Sequence, residues 1–363
     1  MRCVLPSDTA RISDPLLMAV IRGSFRRLQN EGNLKSLVTG GAGFMGAHVA
    51  EQLLQLGHQV MILDDLSGGF LENFPAGAEF IQGSILNIEL IQEIFRKHRF
   101  DYVFHLAAYA AEGLSHFIKH FNYQNNLIGS VNLINASVNY QVKRFVFTSS
   151  IAVYGAGQLP MTEEMIPAPE DSYGIAKYAV EMELKATHEM FGLDYVIFRP
   201  HNVYGEKQNI GDKYRNVVGI FMNQVLQGMP MTIFGDGEQT RAFSYIGDVA
   251  PVIAQSATLE GARNQIFNVG ADEPYSDNRL AEIVAEAMGV PPHTRHLAAR
   301  NEVLHAFSDH TKVRRVFGSA PRIPLEEGIR RMAKWVKQHG ARRSREFDNI
   351  EIEKNLPPAW KNS

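Results

Sequence analysis

Cysteine is almost absent from this chain of 363 residues, and Cys3 is the only one. A single cysteine excludes an intramolecular disulfide framework and any zinc site built on several thiolates. Long apolar runs are missing too, and no stretch approaches the roughly 20 apolar residues that a membrane-spanning helix needs. The net charge is only -3, which does not suggest binding to nucleic acid. These absences predict a globular protein of the reducing cytoplasm, with neither nucleic acid nor membrane as a partner.

A glycine-rich turn is the most informative feature that is present. Residues 39–46 read Thr-Gly-Gly-Ala-Gly-Phe-Met-Gly and stand between an apolar run and a helical run. Gly40, Gly43 and Gly46 are spaced so that the chain can turn tightly and bring backbone N–H groups onto a pyrophosphate. A second apolar run ends in Asp64, at roughly the 20-residue interval at which a carboxylate meets the adenosine ribose. The pattern predicts an NAD site, since the acid would repel the 2′-phosphate of NADP.

Strand-like and helix-like segments alternate after this turn. The strand-like ones are residues 60–64, 101–106, 144–149, 195–198 and 267–270, and the helix-like ones are 125–139 and 173–190. This alternation predicts an α/β fold with a doubly wound parallel Rossmann sheet covered by helices on both faces. Stretches rich in Gly and Pro at 205–237 and 289–300 predict a smaller C-terminal lobe that covers the substrate.

The chain divides, on this interpretation, into four parts. They are an N-terminal extension (1–34), an NAD-binding domain (35–200, completed by about 243–270), a substrate-binding lobe (201–242 and 271–340) and a C-terminal tail (341–363). Within the extension, Ser13-Asp14-Pro15 is typical of a helix start. Acidic and basic residues interrupt any signal-peptide core there, so we expect an extension or a packing helix.

Catalytic chemistry concentrates in the only Tyr-x-x-x-Lys of the chain, Tyr173 and Lys177. Residues four apart share a helix face, so the lysine ammonium can lie near the phenol and favour its ionised form. Tyr173 can then remove a proton from a substrate hydroxyl. Ser150 follows the strand-like run 144–149 and can bridge the phenol and the substrate oxygen. No metal is expected, because His116 and His120 have no third ligand nearby.

These motifs together resemble the extended short-chain dehydrogenases, in particular the NAD-dependent nucleotide-sugar epimerases and dehydratases, and most closely the UDP-glucose 4-epimerase branch. The motifs are the glycine turn, Asp64, residues 105–108 (HLAA), 149–155 (SSIAVYG), Tyr173 with Lys177, 199–205 (RPHNVYG) and 235–241 (GDGEQTR). The resemblance covers roughly residues 35 to 340.

The resemblance implies a role for each matching position. The catalytic set is Ser150, Tyr173 and Lys177. The cofactor-binding set is Gly40, Gly43, Phe44, Met45, Gly46, Asp64, Ser84, Ile85, Leu106, Ala107, Ala108, Asn125, Tyr173 and Lys177. The substrate-binding set is Ser115, Ser150, Asn202, Asn216, Val217, Phe234, Arg241 and Arg300, which hold a nucleotide-diphosphate sugar. The role of Arg241 is also expected from its chemistry, because a guanidinium pairs bidentately with phosphate.

Three single positions and one short segment depart from the family pattern. Ser84 stands where an aspartate near the adenine is usual, and Ala110 stands where a lysine near the cofactor is frequent. Ala242 replaces the aspartate that usually follows the phosphate arginine. Residues 300–302 (RNE) only approximate the usual Arg-Pro-Gly-Asp, which leaves the role of Arg300 open.

The residues after Ser150 discriminate among reactions. Relatives that eliminate water carry an acid pair there, because elimination needs a separate proton donor and acceptor, whereas this chain has Ile151 and Ala152. The pattern therefore predicts inversion at sugar C4 through a transient 4-keto intermediate. Three alternatives stay open: a UDP-glucuronate decarboxylase, which usually has a glutamate at position 152, a 4-keto sugar reductase or sterol-type dehydrogenase, and a non-catalytic NAD-binding regulator.

The resemblance also implies a homodimer in which two helices pack against their symmetry mates. The apolar residues expected at this interface are Leu127, Val131, Leu133, Ile134, Val138, Ala179, Val180, Met182 and Leu184. They provide more hydrophobic surface than one sheet face should need.

Overall fold

The computed structural model describes residues 34–157, 159–299, 303–320, 322–341, 347 and 349–360. The N-terminal helix expected after Ser13 and the candidate residue Arg300 lie outside these residues. The strands are β1 (Lys35–Thr39), β2 (Gln59–Asp64), β3 (Glu79–Gln82), β4 (Tyr102–His105), β5 (Arg144–Thr148), β6 (Asp194–Pro200), β7 (Val203–Tyr204), β8 (Met231–Phe234), β9 (Thr240–Ala242), β10 (Ser244–Tyr245), β11 (Gln265–Val269), β12 (Pro274–Ser276), β13 (Thr294–Leu297) and β14 (His305–Ala306).

The helices connect these strands. They are α1 (Phe44–Gln55), α2 (Ile88–His98), α3 (Glu112–Ser115), α4 (Lys119–Tyr123), α5 (Gly129–Asn139), α6 (Ser172–Phe191), α7 (Val217–Leu226), α8 (Ile246–Gln255), α9 (Asp277–Met288), α10 (Thr311–Phe317) and α11 (Leu325–His339). A π-helical turn, Gln124–Ile128, precedes α5, and short 3₁₀ turns lie at Leu71–Asn73, Ile151–Tyr154, Glu260–Ala262 and Pro358–Trp360. No helix in the described part of the chain is both long and apolar enough to cross a membrane.

The central sheet has seven strands in the order β3-β2-β1-β4-β5-β6-β11, and every pairing in it is parallel. The order reverses direction between β1 and β4, and ligands bind at the carboxyl ends of strands beside such a reversal. The sheet confirms the predicted doubly wound α/β fold. The division into domains stays a prediction.

Alternating side chains of the sheet supply the two cores that cover its faces. Leu37 of β1 belongs to the core on one side, whereas its neighbour Val38 belongs to the core on the other. The alternation follows from the two-residue period of a strand. Residues of α2, α5 and α6 complete the first core, and residues of α1 and α8 the second. Because both faces are covered, the strands are apolar almost throughout.

Small sheets occur in the part of the chain expected to form the substrate-binding lobe. β9 pairs antiparallel with β12 and parallel with β14, while β8 pairs with β13. β7 pairs with β10. Arg241 is the central residue of β9. Its position therefore depends on the pairing of β9 with β12 on one side and β14 on the other.

The C-terminal tail packs against the loop and short helices that follow β4. Trp360 is buried, and a Cβ on Gly113 would lie 3.1 Å from its ring. The backbone N–H of Glu351 donates to the carbonyl of Phe117 at 2.9 Å. Phe347 contacts the ring of Tyr109 at 5.6 Å between centroids. The tail therefore covers part of the loop and short helices that follow β4.

Some expected dimer residues lie elsewhere than predicted. Leu133, Ile134, Val180 and Leu184 are fully buried in the core that α5 and α6 form with the sheet of their own chain. Their apolar side chains face inward, so assigning them to an interface was wrong. The residues of these helices that are exposed include Met182.

Candidate cofactor and active site

The glycine-rich turn lies at the carboxyl end of β1, against the loop that follows β4. Gly40 has a φ of 70°, and a Cβ there would lie 2.7 Å from the backbone nitrogen of Ala107. A Cβ on Gly46 would lie 2.1 Å from the carbonyl oxygen of Gly40. Any larger residue at either position would push the turn away from its neighbours. Glycine at these two positions therefore lets the turn lie directly against the loop after β4 and against its own backbone.

The turn continues into α1, of which Gly43 is the N-cap. Phe44 and Met45 are the first residues of this helix, and their half-buried side chains pack against the core. The first N–H groups of a helix have no acceptor within it, so they are available to an anion. The N-terminus of α1 therefore has the form of a pyrophosphate site.

Asp64 is the last residue of β2, and its carboxylate hydrogen-bonds to the backbone of the glycine turn. One carboxylate oxygen accepts the N–H of Ala42 at 3.0 Å, and the other accepts that of Leu66 at 2.8 Å. Burial raises the pKa of Asp64, and the hydrogen bonds from the backbone oppose this shift. A carboxylate offers about four acceptor positions, so two backbone bonds leave capacity for the hydroxyls of a ribose.

The loop after β4 borders the same opening. Leu106, Ala107 and Ala108 are half-buried there, and the N–H of Ala107 donates to the hydroxyl of Thr39 at 3.3 Å. These residues therefore place backbone directly next to the glycine turn.

Three other cofactor candidates have local contacts. Ser84 accepts the N–H of Leu86 at 3.2 Å within its own turn. Ile85 is buried in the core. Asn125 donates to the carbonyl of Phe121 at 2.9 Å, one helical turn earlier. Their predicted contacts with NAD stay predictions.

Ser150, Tyr173 and Lys177 come together between the end of β5 and the start of α6. The Ser150 hydroxyl lies within hydrogen-bonding reach of the buried Tyr173 phenol. Lys177 donates from Nζ to the carbonyl of Thr148 at 2.8 Å and lies 5.8 Å from the centre of the Tyr173 ring. The side chain of Asp171 caps α6 by accepting the N–H of Gly174 at 2.8 Å, which fixes where the helix begins.

The phenol of Tyr173 is harder to ionise here than in water. Burial raises its pKa, and the carboxylates of Glu112 and Asp171 raise it further. The hydrogen bond with Ser150 and the positive charge of Arg215 lower it. A further positive charge beside the ring would lower the pKa of this phenol.

Lys177 lies near the Tyr173 ring, as the spacing predicts, and its ammonium also has a backbone partner. Burial lowers the pKa of its ammonium to about 7, and the charge of Glu181 opposes this shift. The ammonium is directed at the carbonyl of Thr148. The stabilisation of a Tyr173 phenolate by Lys177 therefore stays a prediction.

A buried ion pair lies behind the catalytic candidates. Glu181, one turn after Lys177 on α6, accepts two hydrogen bonds from Arg199 of β6 at 2.9 and 2.5 Å. The same carboxylate accepts the hydroxyl of Ser149 at 2.6 Å. The guanidinium also lies 4.7 Å from the ring centre of Tyr154. This pair links α6, the end of β5 and β6.

The substrate candidates on the lobe side stand at the ends of short elements. Asn202 has a φ of 40°, and its amide donates to the carbonyl of Ala242 at 3.3 Å. Asn216 caps α7 and donates to the carbonyl of Val203 at 2.8 Å. Val217 packs against the core at the start of the same helix, and Phe234 ends β8 half-buried.

Two other substrate candidates are already bonded to protein groups. Arg241 donates from Nη1 to the carbonyls of Thr240 at 2.9 Å and Leu304 at 2.8 Å. Ser115 is buried, donates to the carbonyl of Glu112 at 2.6 Å and accepts the N–H of Tyr173 at 3.1 Å. Contact with a substrate would require Arg241 to exchange some of these bonds, whereas Ser115 helps to hold the Tyr173 backbone.

Two charged residues near Tyr173 were not predicted. Glu112 and Arg215 both act on the pKa of its phenol. The guanidinium of Arg215 lies 4.7 Å from the ring centre of Tyr109. The sequence could have indicated both residues. Glu112 closely follows the HLAA motif, and Arg215 immediately precedes the candidate Asn216.

The comparisons with known proteins agree with this geometry. A UDP-glucose 4-epimerase of Mycolicibacterium smegmatis is 32% identical over 312 residues, which are 84% of this chain and 99% of that protein. The crystal structure of a UDP-glucose 4-epimerase of Thermotoga maritima with UDP-glucose is 36% identical, with a TM-score of 0.80, and covers 84% of this chain and 99% of that one. A Thermus thermophilus UDP-glucose 4-epimerase in complex with NAD is 32% identical, with a TM-score of 0.79, and covers 84% and 99%.

The family itself is shown by a match over most of the cofactor-binding sheet. Residues 36–270 match the NAD dependent epimerase/dehydratase family. The glycine turn, the free first turn of α1 and Asp64 fit NAD, which is therefore the cofactor. When bound, NAD supplies the acceptor and donor of hydride. The chain belongs to the NAD-dependent epimerase/dehydratase family, whose members act on nucleotide sugars.

Proposed function

We propose that this protein inverts C4 of a UDP-linked sugar of the glucose and galactose type through a transient 4-keto intermediate. The observation that supports it best is the buried Tyr173 phenol, with Ser150 as a hydrogen-bond partner, on the side of the sheet where the strands end and where the glycine turn also lies. A single proton acceptor beside a hydride site is sufficient for reversible oxidation of one carbon. No net redox change results, so the cofactor can stay bound through each cycle.

The residues of the chain have distinct roles in this proposal. Tyr173, as phenolate, accepts the proton of the sugar 4-hydroxyl, and the Ser150 hydroxyl hydrogen-bonds the same oxygen. The phenol returns this proton when the keto group is reduced on its other face. Lys177, held by the carbonyl of Thr148, places positive charge near the ring when it is protonated. Arg241 and Asn202 bind the nucleotide diphosphate from the lobe side.

The residues after Ser150 support epimerisation over reactions that need a second acid or base. Ile151 and Ala152 are buried and form the first turn of a 3₁₀ helix. Neither side chain can donate or accept a proton. Elimination of water requires such groups beside the catalytic hydroxyl.

The decisive experiment is incubation of the purified protein with separate UDP-, GDP-, CDP- and dTDP-sugars. We expect mass spectrometry after mild denaturation to find NAD, and NMR to find UDP-glucose and UDP-galactose interconverting. Release of NADH into solution would instead identify a net oxidoreductase, and release of CO₂ from UDP-glucuronate a decarboxylase. Bound NAD without turnover of any sugar would point to a regulator. Each of these three results would contradict the proposal.

Asp64→Ala should weaken binding of NAD by about 10- to 100-fold, because hydrogen bonds to a charged acceptor are lost. NADP should bind no more weakly than it does to the original protein, since the repulsion of its 2′-phosphate disappears. Isothermal titration with both cofactors measures this change in preference.

Asp64→Asn is the matched control, because it keeps the shape of the side chain and one acceptor oxygen. It should have an intermediate affinity for NAD. Equal affinity of the original protein for NAD and NADP would contradict the role of Asp64.

We also propose that the chain works as a homodimer in the cytoplasm, through the exposed sides of α5 and α6. Ile175 and Met182 on α6, and Ile128 just before α5, are large apolar residues exposed on the single chain. A second copy would cover them by two-fold symmetry. Light scattering should give twice the 40.6 kDa of one chain, and Met182→Lys should lower that mass. A fully active monomer at micromolar concentration would contradict this proposal.

A further inference from the structure

The loops around the glycine turn contain acidic side chains but no lysine or arginine. Residues 40–48, 64–72 and 106–112 include Asp64, Asp65, Glu72 and Glu112. Ala110, where the family resemblance led us to expect a lysine, carries no charge either. His48 does not supply a charge, because burial lowers its pKa. A pyrophosphate bound there would meet backbone N–H groups and a helix N-terminus, with no cation from these loops.

Arg215 reaches this region from the opposite side of the opening, from the loop between β7 and α7. Its Nη2 lies 3.1 Å from the point that a Cβ on Gly68 would occupy. Gly69, the next residue, packs on the glycine turn, because a Cβ there would lie 2.7 Å from the carbonyl carbon of Ala42. The guanidinium is therefore beside the loop that borders the pyrophosphate site.

The guanidinium is held in place while most of its donors stay free. Its Cζ lies 4.7 Å from the ring centre of Tyr109, in the loop after β4. Its Nε lies 3.0 Å from an oxygen of Asp212 without making a hydrogen bond. Within the described ranges, no protein group accepts a hydrogen bond from Nη1 or Nη2. A stacked, oriented guanidinium with two free NH₂ groups is suited to bidentate binding of a phosphate.

We propose that Arg215 binds the pyrophosphate of NAD and supplies the cation that the loops around the glycine turn lack. The residue belongs to the segment that also carries Asn216, so bound cofactor would connect the sheet to the lobe. Its distance to Gly68, which follows Asp64 on the cofactor side, favours NAD over the diphosphate of the nucleotide sugar. The inference concerns the cofactor and holds whichever sugar is the substrate.

The test compares how fast the holoprotein loses NAD. Arg215→Met keeps an apolar side chain of similar length over Tyr109 and removes the charge. We expect NAD to dissociate about 10- to 100-fold faster from this variant, as for loss of a charge-assisted bidentate contact. ADP-ribose, which retains the pyrophosphate, should lose affinity equally, and adenosine should bind as before. The rate of NAD dissociation from Arg215→Lys should lie between those of the original protein and Arg215→Met. Lysine keeps the positive charge but cannot make the two parallel hydrogen bonds of a guanidinium.

Two further variants make the result specific. Lys213→Met removes a nearby cation that lies 5.3 Å from the ring centre of Tyr214, and it should leave NAD dissociation unchanged. Ala110→Lys in the Arg215→Met protein should slow the loss of NAD again, because it restores a cation from the other side. Thermal unfolding of each variant separates loss of binding from loss of fold.

Other outcomes would overturn the proposal. Weaker binding of UDP with unchanged retention of NAD would assign Arg215 to the nucleotide-sugar diphosphate. Unchanged binding of both ligands would leave it a structural residue that pairs with Asp212. Failure of Ala110→Lys to slow NAD loss, with a folded protein, would contradict the idea that the two positions serve one phosphate site.

Discussion

Tyr173→Phe should lower turnover of the nucleotide sugar by about 10²- to 10⁴-fold, the range typical for loss of a general acid–base group. Only the hydroxyl is removed, so the ring keeps its buried place between Ser150 and Lys177. Binding of NAD and of UDP should therefore change little. The loss should appear in kcat rather than in KM, because the missing contact matters only during proton transfer.

The control for this substitution is Tyr178→Phe, which removes a phenol from the same helix. Tyr178 is half-buried on α6 and packs against a cluster that contains none of Ser150, Tyr173 and Lys177. Loss of its hydroxyl should leave turnover near the original value. Mass spectrometry of bound NAD and thermal unfolding should show that both proteins are folded and loaded. Turnover of the Tyr173→Phe protein within about threefold of the original would contradict the assignment of the general base.

Glu181→Leu should lower the free energy of unfolding by about 3–5 kcal/mol, because it leaves the charge of Arg199 buried without a partner. Both side chains are almost fully buried, at 2% and 0% exposure. The carboxylate also accepts the hydroxyl of Ser149, next to the predicted catalytic Ser150. Urea unfolding monitored by circular dichroism measures the change.

A double substitution distinguishes the pair from simple loss of packing. Glu181→Leu combined with Arg199→Met removes both charges and fills a similar volume, so it should recover much of the stability lost in the single variant. Glu183→Leu changes an exposed carboxylate on the same helix and should alter stability by less than about 0.5 kcal/mol. A double variant as unstable as the sum of its two single variants would show that the ion pair contributes no coupling.

The fold could be predicted from local patterns because a parallel sheet repeats them. Every strand of the seven-stranded sheet except β3 has a short apolar run, and the turn after β1 has glycines where a Cβ would collide with Gly40 or Ala107. β3 was missed because Glu79–Gln82 is an edge strand with exposed polar ends and half-buried apolar residues. Its sequence therefore lacks the continuous apolar run of a central strand.

The site was only partly predictable, because several of its contacts join residues far apart in the sequence. Tyr173 and Lys177 share one helix turn, so their spacing alone indicated a functional pair. No local pattern indicates that Arg215 would lie beside Gly68. The effect of burial on the phenol was also not visible from spacing, since it depends on how the whole chain covers the ring.

The same limit explains the incorrect part of the dimer prediction. An apolar helix face looks alike in sequence whether it covers its own sheet or a second copy. Leu133 and Val180 contact their own core, and only the position of the sheet shows this. Met182 and Ile175 on α6 are exposed, and they differ from their buried neighbours only in the direction in which the side chain leaves the helix.

The position of β11 in the sheet has a consequence for synthesis of the chain on the ribosome. β6 ends at Pro200, but β11, which pairs with it, begins at Gln265. At a translation rate of about 5–20 residues per second, making residues 201–264 takes roughly 3–13 s. During that interval one side of β6 exposes unpaired backbone groups, to which another nascent chain can add a strand. Synonymous codons that slow translation between residues 201 and 264 would lengthen this period and favour aggregation, and faster codons would shorten it.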